Sequence, residues 1–305
     1  MKSSVVQLAR VINKKPATKI HPAKWWSLVA SYWKEVENFP IHCDAQLETI
    51  PYFKSRPPIL VIIHALNQRP FLVDKVREVW PNTKVVGLSY NSLWLGDLRV
   101  EEAFSKCDMV FGRLPKGSIL PPNFCSMAPL VDTRIFNDRR VKDRNTDIFV
   151  PRGHNRRQVY WYEERERVLS NFRGLTISRA NGGFSKSQMA DLFRNSKISI
   201  CLREDSGPAY SAVESVMCGC IPIVSNIPSI TEEFGETVFA ANRTLPSIRE
   251  TIEKALSLSR AERVVAINRM QNSLKHCTLQ YQGPKIAKFL KGLVDGNKYL
   301  YPNLQ

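Results

Sequence analysis

Residues 196–225 read SKISICLREDSGPAYSAVESVMCGCIPIVS, and this one stretch holds every change of pattern that an α/β fold requires. Ile198, Ile200 and Leu202 alternate at the period of a strand. The acidic loop Glu204-Asp205-Ser206-Gly207-Pro208 breaks the alternation. Over residues 209–217 alanine, valine and methionine recur at helical spacing, Cys218-Gly219-Cys220 stops the helix, and residues 221–224 form a short apolar run. The stretch therefore predicts strand, glycine loop, helix, small-residue turn and strand. A strand that feeds a helix through a glycine loop aims backbone N–H groups and the positive helix end at one spot, which suits a phosphate. Glu214, one to two turns into the helix, stands where a ribose would offer hydroxyls. A plain βαβ unit without ligand has the same pattern, so the rest of the chain must decide.

The chain has 305 residues, room for two domains of ordinary size or one large one. Its 43% hydrophobic and 24% charged content is that of a globular protein with a core, which excludes a disordered tail. No apolar run reaches the length of a membrane span, and the start MKSSVVQLARVINKK lacks a signal-peptide core. The expected location is the cytoplasm, with peripheral attachment at the inner face of a membrane as an extension. Seven cysteines form no CxxC pair, and Cys218-Gly219-Cys220 is too tight for zinc spacing, so buried thiols in a reducing compartment and no metal are expected. The formal charge of +16 favours an anionic partner: nucleic acid, an acidic membrane surface or a phosphorylated substrate.

Residues 1–57 read as irregular. Within them Trp25, Trp26, Leu28, Val29, Tyr32, Trp33 and Val36 repeat at helical spacing, as in a helix docked on its own domain or lying in a membrane interface. From Pro58 the rhythm becomes βαβα, with strands expected at 59–65, 84–88 and 109–111, helices at 71–80 and 100–106, and loop at 112–128. After the charged linker NDRRVKDRN a second series begins. Strand 146–150 leads into the basic loop Pro151-Arg152-Gly153-His154-Asn155-Arg156-Arg157, then helix 158–172, strand 175–178 and helix 187–195. Beyond the central stretch come a loop, strand 237–240 and helices at 246–258, 261–274 and 284–293. Continuous apolar strands alternating with helices imply parallel sheets covered on both faces. The expected divisions are 1–132, 133–275 and a tail 276–305.

Several of these segments, in order, resemble the donor-binding domain of GT-B glycosyltransferases, above all the retaining family 4 type. APLVDTRIF (128–136) resembles the motif P-x-G-V-D-x-x-x-F, with Leu130 where glycine is usual. DIFVPRGHNRR (147–157) resembles a strand and loop that read G-R and, five residues on, lysine; Arg152 and Arg157 take those places. SQMADLFRNSKISICL (187–202) resembles the helix and strand before the donor loop, and VESVMCGCIPIVSNIPSITEEF (213–234) resembles the segment E-A-x-A-x-G-x-P-V-V. GCIPIV is also similar to exostosin-type enzymes. VIIHALNQ, KVVGLSYN and FSKCDMVFG look similar to later strands of a GT-B N-terminal domain, with His64 where a family histidine often faces the cleft. The resemblance covers residues 58–260 and leaves the opening half of that first domain missing or replaced by helices.

The resemblance implies an α/β protein of the GT-B class, two Rossmann-like domains whose parallel sheets face a cleft, the N-terminal one reduced. Residues 1–132 become the acceptor-side domain with a helical extension, 133–275 the nucleotide-sugar domain, and 276–305 a helical tail packing back on the first. The implied activity is metal-independent, retaining transfer from a UDP- or GDP-linked sugar, with no cofactor beyond that substrate. The implied acceptor is an envelope or lipid-linked glycan, or else a modified base in DNA as in phage enzymes. A non-catalytic protein that binds a nucleotide-sugar or nucleic acid is the third reading. Arg152 and Arg157 would neutralise the diphosphate, helped by Arg156 and Arg203, and Glu214 would bind the ribose. Ser206, Gly207, Pro208, Ala209 and Tyr210 would supply the loop and helix start. The family's first glutamate falls at Ser206, so Glu204, Asp205 and Ser206 compete for its role on the donor sugar. His64 joins Glu204 and Asp205 in the catalytic set; an inverting enzyme would draw its base from His64, Asp97 or Glu101.

Overall fold

The computed structural model describes residues 3–8, 36–41, 57–64, 66, 70–89, 97–112, 122–138, 144–151, 161–180, 183–203 and 210–296, with the backbone alone for 3–8, 36–41, His64, Ser229 and Glu236. The chain forms two compact units, Met1–Ala128 with Tyr281–Gln305, and Pro129–Gln280.

In the first unit six strands make one parallel sheet. They are β1 (Ser3–Leu8), β2 (Val36–Ile41), β3 (Leu60–His64), β4 (Lys84–Ser89), β5 (Met109–Gly112) and β6 (Phe124–Ser126), in the order β2-β1-β3-β4-β5-β6. Leu60, Val61, Ile62 and Ile63 are fully buried, as a continuous apolar run between two covered faces requires. Helix α1 (Leu72–Val79) turns Leu72, Val73 and Val76 inward, and α2 (Leu98–Ser105) turns Val100, Ala103 and Phe104 inward. These side chains meet Val61, Ile63 and Val110 in one core. Asp108, at the foot of β5, accepts from Arg77 Nη2 (2.7 Å), Lys84 Nζ (3.0 Å) and the Val85 N–H (2.8 Å).

Two expectations for this unit change. Residues 1–57 are not wholly irregular: they supply β1 and β2, and Val36, counted in a helical stripe, opens β2. SSVVQL and VENFPI carry too few apolar residues to announce strands alone. β1 is fixed instead by pairing with β3, Val5 against Leu60 through Leu8 against Ile63. Pro40 sits in β2 at the sheet's edge, where a missing N–H costs least. The rest of the stripe, Trp25 to Trp33, lies outside the described residues. Similarly, β6 falls in the stretch expected to be loop and exists through its ladder to β5, Val110 against Phe124.

The second unit has a five-stranded parallel sheet, β7 (Thr146–Val150), β8 (Ile177–Arg179), β9 (Ser196–Cys201), β10 (Ile221–Ser225) and β11 (Phe239–Ala241), in the order β11-β10-β9-β7-β8. Its helices are α3 (Tyr162–Ser170), α4 (Lys186–Arg194), α5 (Tyr210–Met217), α6 (Pro228–Phe234), α7 (Leu245–Leu256) and α8 (Arg260–Ser273), followed by a 3₁₀ turn, Leu274–Cys277. Capping boxes start α4 (Ser185 with Gln188) and α8 (Ser259 with Glu262). α6 replaces an expected loop; Pro228 opens it, with φ already set for a helix. The last helix, α9 (Leu279–Val294), begins earlier than expected and carries Pro284 inside it.

The two ends of the second unit are stitched together. Val131 N–H donates to the Cys277 carbonyl and Leu279 N–H to the Val131 carbonyl, both at 2.9 Å. Buried Asp132 accepts from Gln280 Nε2 (2.8 Å) and from the Arg134 N–H and Nε (both 3.0 Å).

Candidate functional site

Each sheet reverses its strand order once, between β1 and β3 in the first unit and between β7 and β9 in the second. In an open parallel sheet the connections on either side of such a reversal run to opposite faces, leaving a crevice beyond the strands' carboxyl ends where ligands bind. β7 and β9 are direct neighbours, Thr146 against Ser196 and Phe149 against Ser199. The segment after β7 holds Arg152, Arg156 and Arg157; the one after β9 holds Glu204, Asp205, Ser206, Gly207, Pro208 and Ala209. These nine residues lie outside the described ones. The strands from which they depart are described, and they stand side by side.

Buried serines hold the frame of this site. Ser225, at the end of β10, accepts from the Arg203 N–H and donates to the Arg203 carbonyl, both at 2.6 Å, so the exit from β9 is clamped to the neighbouring strand. Deeper, Ser199 Oγ of β9 lies 2.6 Å from Ser215 Oγ of α5, and Ser215 donates to the Cys220 carbonyl at 2.9 Å. One polar chain thus ties β9, α5 and the start of β10. Polar residues at inward positions of apolar segments were the available sequence signal for these serines.

α5 buries Ala212, Val213, Ser215, Val216 and Met217, leaving Tyr210 and Glu214 half-buried on its other face. Burial pushes the Tyr210 phenol up to about 12, against a hydrogen bond with the Leu130 backbone, and the Glu214 carboxylate adds to the rise. Tyr210 is therefore a neutral hydroxyl at the helix start, set against the segment that opens the unit. Glu214 lies one turn further along the same face.

Behind α5, Gly219 makes the turn into β10 with φ +74°. Arg144 fills the space beside it: its Nη1 donates to the carbonyls of Phe193 (3.2 Å), Arg194 (2.7 Å) and Ser196 (2.8 Å), and its Nη2 to that of Cys218 (3.3 Å). Read as part of a charged linker, Arg144 is a structural post of the site. The neighbouring thiols are inert. Burial raises Cys201 to about 11 and also raises Cys218 and Cys220, so none is a thiolate nucleophile.

In the first unit His64 ends β3, beside the reversal between β1 and β3. Asp97 is otherwise employed: it caps α2, accepting from the Arg99 N–H (3.1 Å), Nε (3.2 Å) and Nη2 (3.0 Å). Glu101 sits in the first turn of α2, where it favours the helix dipole. Among the described residues no helix is long and apolar enough to cross a membrane.

No protein-family model matches the chain. No curated protein matches it in sequence. Solved structures match it over nearly its whole length. Sucrose-phosphate synthase from Thermosynechococcus elongatus aligns at 10% identity and a TM-score of 0.68, covering 97% of this chain and 100% of that one. HepE from Anabaena, solved in complex with UDP-glucose, aligns at 9% identity and a TM-score of 0.66, covering 95% and 99%. A glycosyltransferase from Rickettsia africae aligns at 12% identity and a TM-score of 0.64, covering 96% and 99%. At these identities the likeness speaks for the fold alone. The chain has the two-sheet α/β fold of the GT-B glycosyltransferases.

Proposed function

We propose that this protein transfers a glycosyl group from a nucleotide-diphosphate sugar to an acceptor, with the donor lying beyond the carboxyl ends of β7 and β9. The observation that carries this reading is the order reversal between those strands, from which the arginine segment and the Gly-Pro segment both depart. In the transfer the bond between the sugar's anomeric carbon and the diphosphate oxygen breaks, and the leaving diphosphate gathers negative charge. Arg152, Arg157 and the N–H groups at the start of α5 meet that charge, a role suited to guanidinium forks and a helix start. Glu214 accepts from the ribose hydroxyls. Glu204 or Asp205 holds the donor sugar.

Retention without a metal follows the same chemistry: a donor phosphate oxygen takes the acceptor's proton as the new glycosidic bond forms, and no protein nucleophile is needed. UDP is the first nucleotide to test, since HepE was solved with UDP-glucose, and GDP the second. The charge of +16 supports an anionic acceptor surface, for which a membrane-associated glycan at the inner face is the first choice and DNA the second. One observation favours a binder without catalysis: the residue eight positions before Glu214 is Ser206, not an acid.

A panel of nucleoside diphosphates in a thermal-shift assay tests the site. A matching nucleotide at one hundred times its Kd stabilises by about 2.7 kcal/mol, and Arg157→Ala removes most of that gain. If no nucleotide stabilises the protein and Arg157→Ala changes nothing, the reading is wrong. Hydrolysis of the matching nucleotide-sugar by the purified protein separates the transferase from the binder.

A further inference from the structure

We propose that Glu233, His276 and Cys277 form a binding site for a divalent cation of the zinc class. Glu233 is in the last turn of α6, and His276 and Cys277 end the 3₁₀ turn after α8. One ligand atom from each lies within 4.8 Å of the other two. None of the three has a role in the proposed donor site, although Cys277 lies near enough to Tyr210 to act on it, and the transfer reading does not depend on them.

The histidine is arranged as a ligand. Its Nδ1 is 2.8 Å from the Ser273 carbonyl oxygen. A carbonyl only accepts, so Nδ1 carries the hydrogen and donates, and the neutral ring has its lone pair on Nε2. Metal-binding imidazoles are oriented in this way, by giving their other N–H to a backbone carbonyl. That Nε2 is 3.4 Å from Cys277 Sγ. Tetrahedral zinc, with bonds of about 2.0–2.1 Å to nitrogen and 2.3 Å to sulfur, sets the two ligands about 3.6 Å apart. A thiol donating to an imidazole gives a similar distance, so the pair alone does not decide. A carboxylate oxygen of Glu233 lies within 4.8 Å of both ligand atoms, and a dication drawn in among the three would balance a thiolate and a carboxylate together.

The donor set also selects the ion. Thiolate and imidazole prefer zinc-like metals to magnesium or calcium, which take oxygen ligands. Cys277 is fully buried, while His276 and Glu233 are half-buried, which leaves access for water as the fourth ligand. Such an ion acts as a staple. The turn that ends at Cys277 runs directly into Thr278–Gln280, and the Cys277 carbonyl and Gln280 side chain hold Val131, Asp132 and Thr133. Metal binding would fasten α6 to the segment that closes the second unit on itself.

The full-length protein, stripped with a chelator, is titrated with Co²⁺ and then Zn²⁺. We expect one equivalent of Co²⁺ to produce a near-ultraviolet thiolate charge-transfer band that Zn²⁺ abolishes by displacement. Cys277→Ser loses the band. His276→Gln, at a half-buried position that tolerates a polar side chain, keeps the native circular dichroism spectrum and loses affinity by at least the roughly tenfold that removing an outer partner costs. No band at one equivalent would overturn the proposal, as would a band that survives Cys277→Ser. Should that buried substitution fail to fold, wild-type affinity in His276→Gln is equally fatal.

Discussion

Replacing Gly219 by alanine tests how the β9–α5–β10 frame is held. Two costs add at this position. With φ at +74°, a Cβ strains the backbone by about 1–2 kcal/mol. The same Cβ would lie 2.5 Å from Arg144 Nη2 and 2.8 Å from the Asp138 carboxyl group. A flexible arginine would normally swing aside, but this one is anchored by four carbonyl oxygens. Moving it breaks at least one charge-assisted bond, about 1.5–3 kcal/mol. Gly219→Ala should therefore cost about 2.5–5 kcal/mol. Gly174 provides the control: it has φ +78° with nothing within 4 Å of an added Cβ, so Gly174→Ala pays the strain alone, about 1–2 kcal/mol. Urea unfolding followed by far-ultraviolet circular dichroism measures both. In an Arg144→Ala background, the Gly219→Ala cost should fall toward the Gly174 value, short of it by the contact with Asp138 that remains, a coupling that a double-mutant cycle resolves. Equal losses for the two glycines in the wild-type background would refute the contact argument.

Three further outcomes are expected. Burial acts to raise the Asp108 carboxyl, but the Val85 N–H, Lys84 and Arg77 outweigh it and hold it below the usual range. A folded pKa below the unfolded value near 3.9 stabilises fully above that pH and fades as pH falls through the folded value; Asp108→Ala should cost about 1.5–3 kcal/mol at pH 7, with the gap to wild type closing below about pH 4 in unfolding curves taken across pH. Ser225→Ala leaves the Arg203 N–H and carbonyl without their shared partner; it should cost about 1–3 kcal/mol and weaken nucleotide binding in the thermal-shift assay, and unchanged binding would detach the clamp from the site. Burial raises the thiols of Cys107 and Cys125 to about 12 and that of Cys201 to about 11, so iodoacetamide at about pH 8, below the ordinary thiol value of about 8.5, should leave all three unmodified in the native protein and label them in urea, as read by peptide mass spectrometry.

Much of the fold was legible because its signals are local. β3 announces itself by four consecutive fully buried side chains, and β9, α5 and β10 by a change of period across one glycine loop. β1, β2 and β6 were not legible, since their residues are ordinary and only pairing with β3 or β5 makes them strands. The site divides in the same way. Glu214 and Tyr210 were read from their place on a helix, whereas Arg144 looked like linker charge until its guanidinium met carbonyls from α4, β9 and the turn after α5. Glu233 and His276-Cys277 belong to distant segments, and neither carries a metal signature by itself.

What the sequence determined by itself was the type of each main element and the chemistry of its loops: arginines after one strand, glycine, proline and acids after another. The tertiary structure alone decided that those two strands are neighbours at a reversal of sheet order. Adjacency there rests on a backbone ladder joining Thr146 to Ser196 and Ile148 to Ile198. Backbone hydrogen bonds are the same for every side chain, so no local pattern spells out which strand will lie beside which.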